Sequence, residues 1–351
     1  MNYYFILLLI LILITLIIFL TKKVPKLEEN KKYFTIIFTF LVLFLVLRSP
    51  SVGVDTDNYK NIFEYCHEVD FFKLFTYGRH EIGYKYYCKF ISTIYNNYSF
   101  FLMVTSVLSM IGVYSFIKDN SKNYLNSLLI VITFNFYGYF FGILRQSLAI
   151  SILLYSLRFV KNRKLLKFLL AVFLASLFHK TALVFLPLYF IYNLKINKKI
   201  IIVWTTFIGL FLIFKNSILN FIFDYIYKPE SLEALSGDGY KMLILLLVVS
   251  VASYFYQDKL LKQDKNNQLF INMTFIATII QVLATIFSTA YRVTLYYSFA
   301  IIIVIPNILK VIENKKLRII LTILMYLVLI LYFYLMTTKL VNYVEYHFVF
   351  E

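Results

Sequence analysis

Six side chains in this sequence have the types and placement that bind and move charge. Arg48, Arg145 and Arg292 each stand at the end of an apolar run, in a chain with only 15% charged residues. A guanidinium fork grips phosphate oxygens bidentately, and an arginine near a membrane midplane costs about 2.5–3.5 kcal/mol on insertion scales. Three such residues together point to an anionic ligand. His179, in "LFHKTAL", carries an imidazole able to act as general base or to donate to phosphate. Asp55 and Asp57 lie in "RSPSVGVDTDNYKNIF", beyond the end of one apolar run. In an extended segment, residues two apart project to the same side. That would suit a divalent metal bridging phosphates, a base toward a hydroxyl, a salt bridge to Arg48 or Arg145, or an Asx-turn. Gln146 follows Arg145 in "GILRQSLA", and Glu81 shares the long polar stretch with the aspartates. No Ser-His-Asp order, Walker loop, zinc spacing or nucleotide-binding glycine fingerprint occurs, which argues against ATP-driven transport and membrane zinc proteases.

The elements that must position these groups are membrane helices. The chain has 351 residues, 61% of them hydrophobic, and a mean hydropathy of +0.77. A soluble domain of this length carries about 25% charged residues. Repeated apolar runs are long enough to cross a bilayer core, so an all-α polytopic membrane protein is expected, with residues 1–351 as a single membrane-embedded domain. The net charge of +17 is read as orientation rather than nucleic-acid binding, because basic residues collect in cytoplasmic loops. Cys66 and Cys88 are the only cysteines; too few for a Cys-rich metal site, they share one predicted outer loop where a disulfide has room to form.

The apolar runs fall near 3–20, 33–47, 99–117, 124–142, 146–160, 165–178, 181–194, 200–214, 241–256, 269–287, 293–309 and 319–337. The first has no basic residue before it and "TKKVPK" after it, the reverse of a secretory signal. The segment "LLKFLLAVFLASLFHKTALVFLPLYFIY" decides the topology. Read as a short hairpin turning at His179-Lys180, it gives about 12 transmembrane helices and places 22 of the 35 basic residues in cytoplasmic loops. Read as one span, it would export "KINKK", "DKLLKQDK" and "ENKKLR", against the basic-residue bias. The hairpin is therefore preferred, with arms short enough to be re-entrant or buried. Long outer loops then cover about 48–98 and 215–240, and Arg48, Asp55, Asp57, Glu81, Arg145, Gln146, His179 and Arg292 all lie on the outer side. Mid-span positions read as nearly all apolar, so the chemistry gathers at one face.

The order of these motifs resembles the EpsG family of bacterial membrane proteins, which overlaps the Wzy-type polymerases of surface polysaccharides. The matching stretches are "RSPSVGVDTDNYKNIF", "EIGYKYY", "FGILRQSLAISI", "LASLFHKTALVFLPLYF" and "YRVTLYYSFA", spanning residues 48 to 300. The Arg-Gln-x-x-Ala and Phe-His-Lys-Thr-Ala-Leu elements are the most specific. The resemblance implies a glycosyltransferase on the outer face of the bacterial cytoplasmic membrane, joining lipid-diphosphate-linked oligosaccharide repeat units into O-antigen, capsule or exopolysaccharide. Carried over, the functional positions are Arg48, Asp55, Asp57, Arg145, Gln146, His179 and Arg292. Arg145 and Arg292, with Arg48 assisting, would stabilise the leaving diphosphate. Asp55 or Asp57, then His179, would accept the sugar hydroxyl proton. The expected partners are a polyprenyl-diphosphate-linked oligosaccharide (on an undecaprenyl-type carrier), the lipid bilayer, a chain-length regulator and a flippase, without nucleic acid. No cofactor or metal is expected.

Three other classes share parts of this pattern. A flippase or transporter of lipid-linked oligosaccharide needs outward cations, but should also carry polar groups through the membrane depth. A glycan ligase shares the donor chemistry and is not separated from a polymerase by sequence. An O-acyltransferase would not need a diphosphate clamp.

Overall fold

The computed structural model describes residues 30–76, 80–218, 239–285, 290–339 and 346–351. The expected span at 3–20 and most of the 215–240 loop lie outside the described residues. Among those described, the chain is helical with no strand; its one β-type pairing is an isolated bridge. The chain is a polytopic membrane protein. Three helices are individually long and apolar enough to cross a bilayer, rising to six when each bent pair is taken as one span. The shorter helices Leu165–Phe178 and Lys180–Ile191 are apolar as well.

The residues divide into two compact units. The first contains residues up to Phe159, Leu166–Leu183 and Glu313–Glu351; the second contains Val160–Leu165 and Val184–Ile312.

In the first unit the described helices are α1 (Lys31–Val46), α2 (Thr56–Glu68), α3 (Ile82–Ile94), α4 (Tyr98–Asn120), α5 (Tyr124–Thr133), α6 (Phe136–Gly142), α7 (Leu144–Lys161), α8 (Leu165–Phe178) and, near the C-terminal end, α16 (Lys315–Lys339). Three of them start on an asparagine whose side chain accepts from a backbone N–H: Asn30 from Lys32, Asn97 from Phe100, and Asn123 from Asn126. This satisfies one of the orphan donors at each helix start. α1 packs on α4 through stacked Phe34 and Tyr114 rings and a Thr35–Tyr114 hydroxyl contact of 2.9 Å. Small residues bring α4 and α7 together: the Gly112 N–H donates to Ser151 Oγ at 2.9 Å, and Ser151 Oγ donates to the Leu108 carbonyl at 2.7 Å. Lipid tails are as apolar as leucine, so such close backbone approach and interhelical hydrogen bonds carry much of the association.

The stretch expected as one span at 124–142 is broken. Asn135 adopts a left-handed conformation at φ 62°, and α5 and α6 meet at a 52° bend. Asparagine tolerates this region better than branched residues.

The expected outer loop at 48–98 is not an open loop. It contains α2, a short 3₁₀ turn at Lys73–Phe75, and α3. Both helices are amphipathic, and their shared core includes Tyr59, Phe63, Cys66, Tyr84 and Cys88. Cys66 and Cys88 are buried free thiols hydrogen-bonded to each other. Asp55 and Asp57 are not extended: Asp55 is the N-cap of α2 and Asp57 lies in its first turn. On a helix, residues two apart face different directions, so one metal between this pair is not favoured by the backbone. An acidic first turn instead complements the helix dipole.

Arg48 is buried, with 1% of its surface exposed. Its Nη1 donates to the Phe141 carbonyl at 2.8 Å, and its guanidinium lies 5.2 Å from the Phe141 ring centre. Gly53 approaches the same carbonyl at φ 138°, where a Cβ would sit 2.3 Å from the Phe141 oxygen. The C-terminal end of α6 is thereby capped by a side chain and covered by a turn that only glycine fits. The segment after α16 (Lys315–Lys339) also closes here: Ser49 N donates to His347 O and Val349 N to Leu47 O, both at 2.8 Å.

The second unit contains α9 (Leu188–Ile191), α10 (Lys198–Ile213), α11 (Tyr240–Phe255), α12 (Gln257–Gln263), α13 (Asn267–Ala284), α14 (Tyr291–Ser298) and α15 (Ile301–Val311). Its interior corrects the expectation of apolar mid-span positions. α13 buries Asn267, Gln268, Asn272, Thr274, Thr278 and Gln281. These groups are uncharged and mostly serve irregular backbone. Gln268 Nε2 donates to Leu194 O at 3.0 Å and Asn272 Nδ2 to Tyr192 O at 3.2 Å, while Gln257 pairs with both main-chain groups of Ile196. The broken stretch after α9 is tolerated because protein amides replace its missing helical partners.

Arg48→Met retains most of the side-chain bulk but leaves the Phe141 carbonyl without its donor. Stability should fall by about 1–3 kcal/mol, read as a lower thermal midpoint of the detergent-solubilised protein. An unchanged midpoint would show that Arg48 does not brace α6.

Candidate functional site

Glu81 is the N-cap of α3, in extended backbone (φ −61°, ψ 140°), and its side chain makes no capping bond to its own helix. It reaches elsewhere. One carboxylate oxygen accepts from Arg145 Nη1. The other accepts from the Lys180 backbone N–H at 3.2 Å and lies 3.2 Å from His179 Nδ1. A single carboxylate thus joins residues 64 and 98 positions away.

Local structure explains each position. Arg145 is the second residue of α7, which begins after the chain leaves α6 at Ile143. His179 follows the last residue of α8 and donates its backbone N–H to the Ala175 carbonyl at 2.9 Å. Lys180 then opens a 3₁₀ turn, so the chain breaks at the place expected for the hairpin turn. Gly83 sets the approach of α3 to α8: a Cβ there would lie 2.6 Å from the Leu177 Cβ and 2.8 Å from the Leu177 oxygen. A larger residue would push Glu81 away from His179.

The cluster is well shielded: the Glu81, His179 and Arg145 side chains are 8%, 16% and 21% exposed. Burial alone would raise the Glu81 pKa. The His179 hydrogen bond, the Arg145 charge and the Lys180 backbone N–H together outweigh it, holding the carboxyl at about 2 instead of 4.5. An oriented imidazole results when Nδ1–H donates to Glu81, because the second ring nitrogen is then a lone-pair acceptor. Arg145 also bonds the Tyr59 side chain from α2. Its Nε is buried with no hydrogen-bond partner among the described residues. Unpartnered buried donors are uncommon, and this one is available to a ligand oxygen.

The structure therefore brings Arg145 and His179 together. Asp55, half-buried, and Asp57, exposed, lie on the helix that also supplies Tyr59. Gln146 is buried in the first turn of α7. Arg48 has its Nη1 committed to main-chain carbonyls. Arg292 lies in the second unit, half-buried in the first turn of α14. Among the described residues, no three His, Cys, Asp or Glu side chains gather as a metal site. Two participants do not stand out in the sequence. Glu81 reads there only as a loop acid, and Tyr59 is one of 31 tyrosines. The available signal for Glu81 is an acid directly before an amphipathic helix carrying an early glycine, in "HEIGYKYY".

Comparison with known proteins gives one family match. A family model of the EpsG family covers residues 31–348, nearly the whole described chain. No curated protein and no solved structure matches. The chain belongs to the EpsG family, a Wzy-like family related to polysaccharide polymerases, and is a membrane protein of polysaccharide biosynthesis.

Because the folded Glu81 pKa lies below its reference value, its contribution to stability is complete above about pH 4.5. It is lost as pH falls toward 2. Glu81→Gln should lower stability at neutral pH and flatten the wild-type loss between pH 4.5 and 2. Unfolding midpoints across this range test it, and parallel curves for the two proteins would remove Glu81 from the network.

Proposed function

We propose that this EpsG-family protein is a glycosyltransferase that polymerises lipid-diphosphate-linked oligosaccharide repeat units on the outer face of the cytoplasmic membrane. The product is a surface polysaccharide of the O-antigen, capsule or exopolysaccharide kind. The observation that carries the reading is the Glu81 carboxylate, which orients a guanidinium and an imidazole side by side in a shielded site.

Transfer breaks the bond between the anomeric carbon and the diphosphate oxygen, and forms one to the incoming sugar oxygen. Negative charge grows on the leaving diphosphate. Arg145 is placed on that charge, with its buried Nε–H and remaining guanidinium donors meeting phosphate oxygens. The incoming hydroxyl must lose a proton as it attacks. His179 accepts it at the ring nitrogen facing away from Glu81, while Glu81 stabilises the resulting imidazolium. Asp55 and Asp57 hold hydroxyls of the acceptor sugar from the start of α2, and Gln146 supports the first turn of α7. Arg48, bound to the Phe141 carbonyl, braces the turn that carries the aspartates.

Several features support an enzyme over a flippase. The charged cluster sits where helices begin and end, and the buried polar groups of α13 are uncharged amides and hydroxyls, many bonded to main chain. Polar groups of the kind a flippase needs are thus present on α13, but each donates to a main-chain carbonyl, which weighs against their lining a substrate path.

The test is reconstitution of the full chain in vesicles with a polyprenyl-diphosphate oligosaccharide, followed by product sizing. A ladder of repeat units is expected. Bilayer translocation without elongation would instead establish a flippase, and one transfer to a non-repeat acceptor a ligase. Removing an electrostatic donor to a developing oxyanion commonly costs about 10²–10³ in rate, so Arg145→Ala should reduce elongation by that order while expression persists. Normal chain length in Arg145→Ala would overturn the diphosphate clamp.

A further inference from the structure

The first unit has an open apolar groove of about 580 Å³ between α4, α7 and α8. Its α7 wall is Leu148, Ser151, Ile152, Tyr155 and Phe159, and its α8 wall runs from Lys167 through Ala171 to Phe178. Each wall covers eleven residue steps, or about 16 Å at 1.5 Å per residue, roughly half of the ~30 Å hydrocarbon core. The small residues Gly112, Ser151 and Ala171 leave its middle open, and Tyr87 and Phe178 meet edge-on at one end with ring centres 6.0 Å apart.

That end adjoins the charged cluster through the chain itself. Phe178 immediately precedes His179, Leu148 lies one turn beyond Arg145, and Tyr87 belongs to the helix capped by Glu81. The apolar groove therefore ends beside the Glu81–Arg145–His179 cluster, with Lys167 at its other end. A bulk phospholipid could wet any apolar helix face. A groove that ends beside a guanidinium with a buried, unpartnered Nε–H suits a molecule with an anionic head and a long apolar chain.

Resting on the glycosyl-transfer reading above, we propose that the α4–α7–α8 groove holds the isoprenoid chain of the donor lipid nearest its diphosphate. The groove thereby makes the enzyme selective for carrier length. Its volume seats only the head-proximal part of a long polyprenyl chain, and the remainder lies in the bilayer. Burial of successive apolar units gives a long-chain carrier an advantage that a short one lacks.

The experiment uses the full chain in vesicles and two donors with the same diphosphate-oligosaccharide, one on a long polyprenyl and one on a two-isoprene chain. Wild type should show a KM about tenfold or more lower for the long donor. Ala171→Trp, which fills the groove, should raise the long-donor KM toward the wild-type short-donor value and so shrink the ratio between the two donors. Phe173→Trp, on an exposed position of the same helix outside the groove, should behave as wild type. Equal KM values for both donors, or an unaltered preference in Ala171→Trp, would overturn the groove assignment.

Photocrosslinking with a diazirine-bearing polyprenyl diphosphate gives an answer independent of turnover. Labelling of the Leu148–Ile152 and Leu170–Leu174 segments should be displaced by unlabelled polyprenyl diphosphate and not by phosphatidylglycerol. Equal displacement by both would reassign the groove to bulk lipid. Specific labelling without elongation would sustain the groove and remove the glycosyl-transfer reading; elongation without labelling there would do the reverse.

Discussion

Backbone N–H and C=O groups inside a bilayer have no water to turn to, and this chain repeatedly interrupts its apolar helices. Every interruption therefore demands a protein partner. At the end of α6 the partner is Arg48, whose guanidinium binds the Phe141 carbonyl. In the stretch after α9 the partners are Gln257, Gln268 and Asn272. Where α8 stops, the exposed donor is the Lys180 N–H, and its acceptor is Glu81. The breaks are the places where side chains with hydrogen-bonding capacity are forced into the apolar body. The candidate site is one of these repairs, extended to hold a cation and an imidazole.

Glu81 does this because a carboxylate has two oxygens and about four lone-pair directions. One oxygen faces Arg145, while the other is shared between His179 and Lys180. A shorter aspartate would retract the group from the N-cap position, and an amide would present donors to donors. The resulting charge balance is also informative. One carboxylate opposes one permanent cation, so what Arg145 keeps for an incoming diphosphate is its unpartnered Nε–H rather than a net charge. Tyr59 adds a polar edge from α2, the same helix whose first turn carries Asp57.

Much of the architecture is legible in the sequence because hydropathy follows the bilayer. The runs at 33–47, 99–117, 146–160 and 319–337 correspond closely to α1, α4, α7 and α16. The break at His179-Lys180 is also legible, since the basic-residue bias makes one continuous span costly to topology. What stays hidden are features set by tertiary contact. Asn135 gives no local warning that it bends α5–α6, because asparagine is common in this sequence and only rarely left-handed. The helices within 48–98 alternate apolar residues with charged and polar ones, so a search for continuous apolar runs passes over them and leaves a loop. Arg48 reads as an outward cation, yet its carbonyl partner lies 93 positions away. Glu81 is invisible as a hub for the same reason: sequence shows the charge but not the two distant elements that need it.

The pairing of residues 47–49 with 347–349 sets an order on how the first unit is completed. Arg48 and Phe348 are 300 positions apart, and a ribosome releases them in that order. During synthesis residues 47–49 must wait without their main-chain partners at 347–349. Closing that clasp ties the two ends of the described chain beside the bracket that holds α6, making the late-emerging tail a checkpoint on the integrity of everything inserted before it.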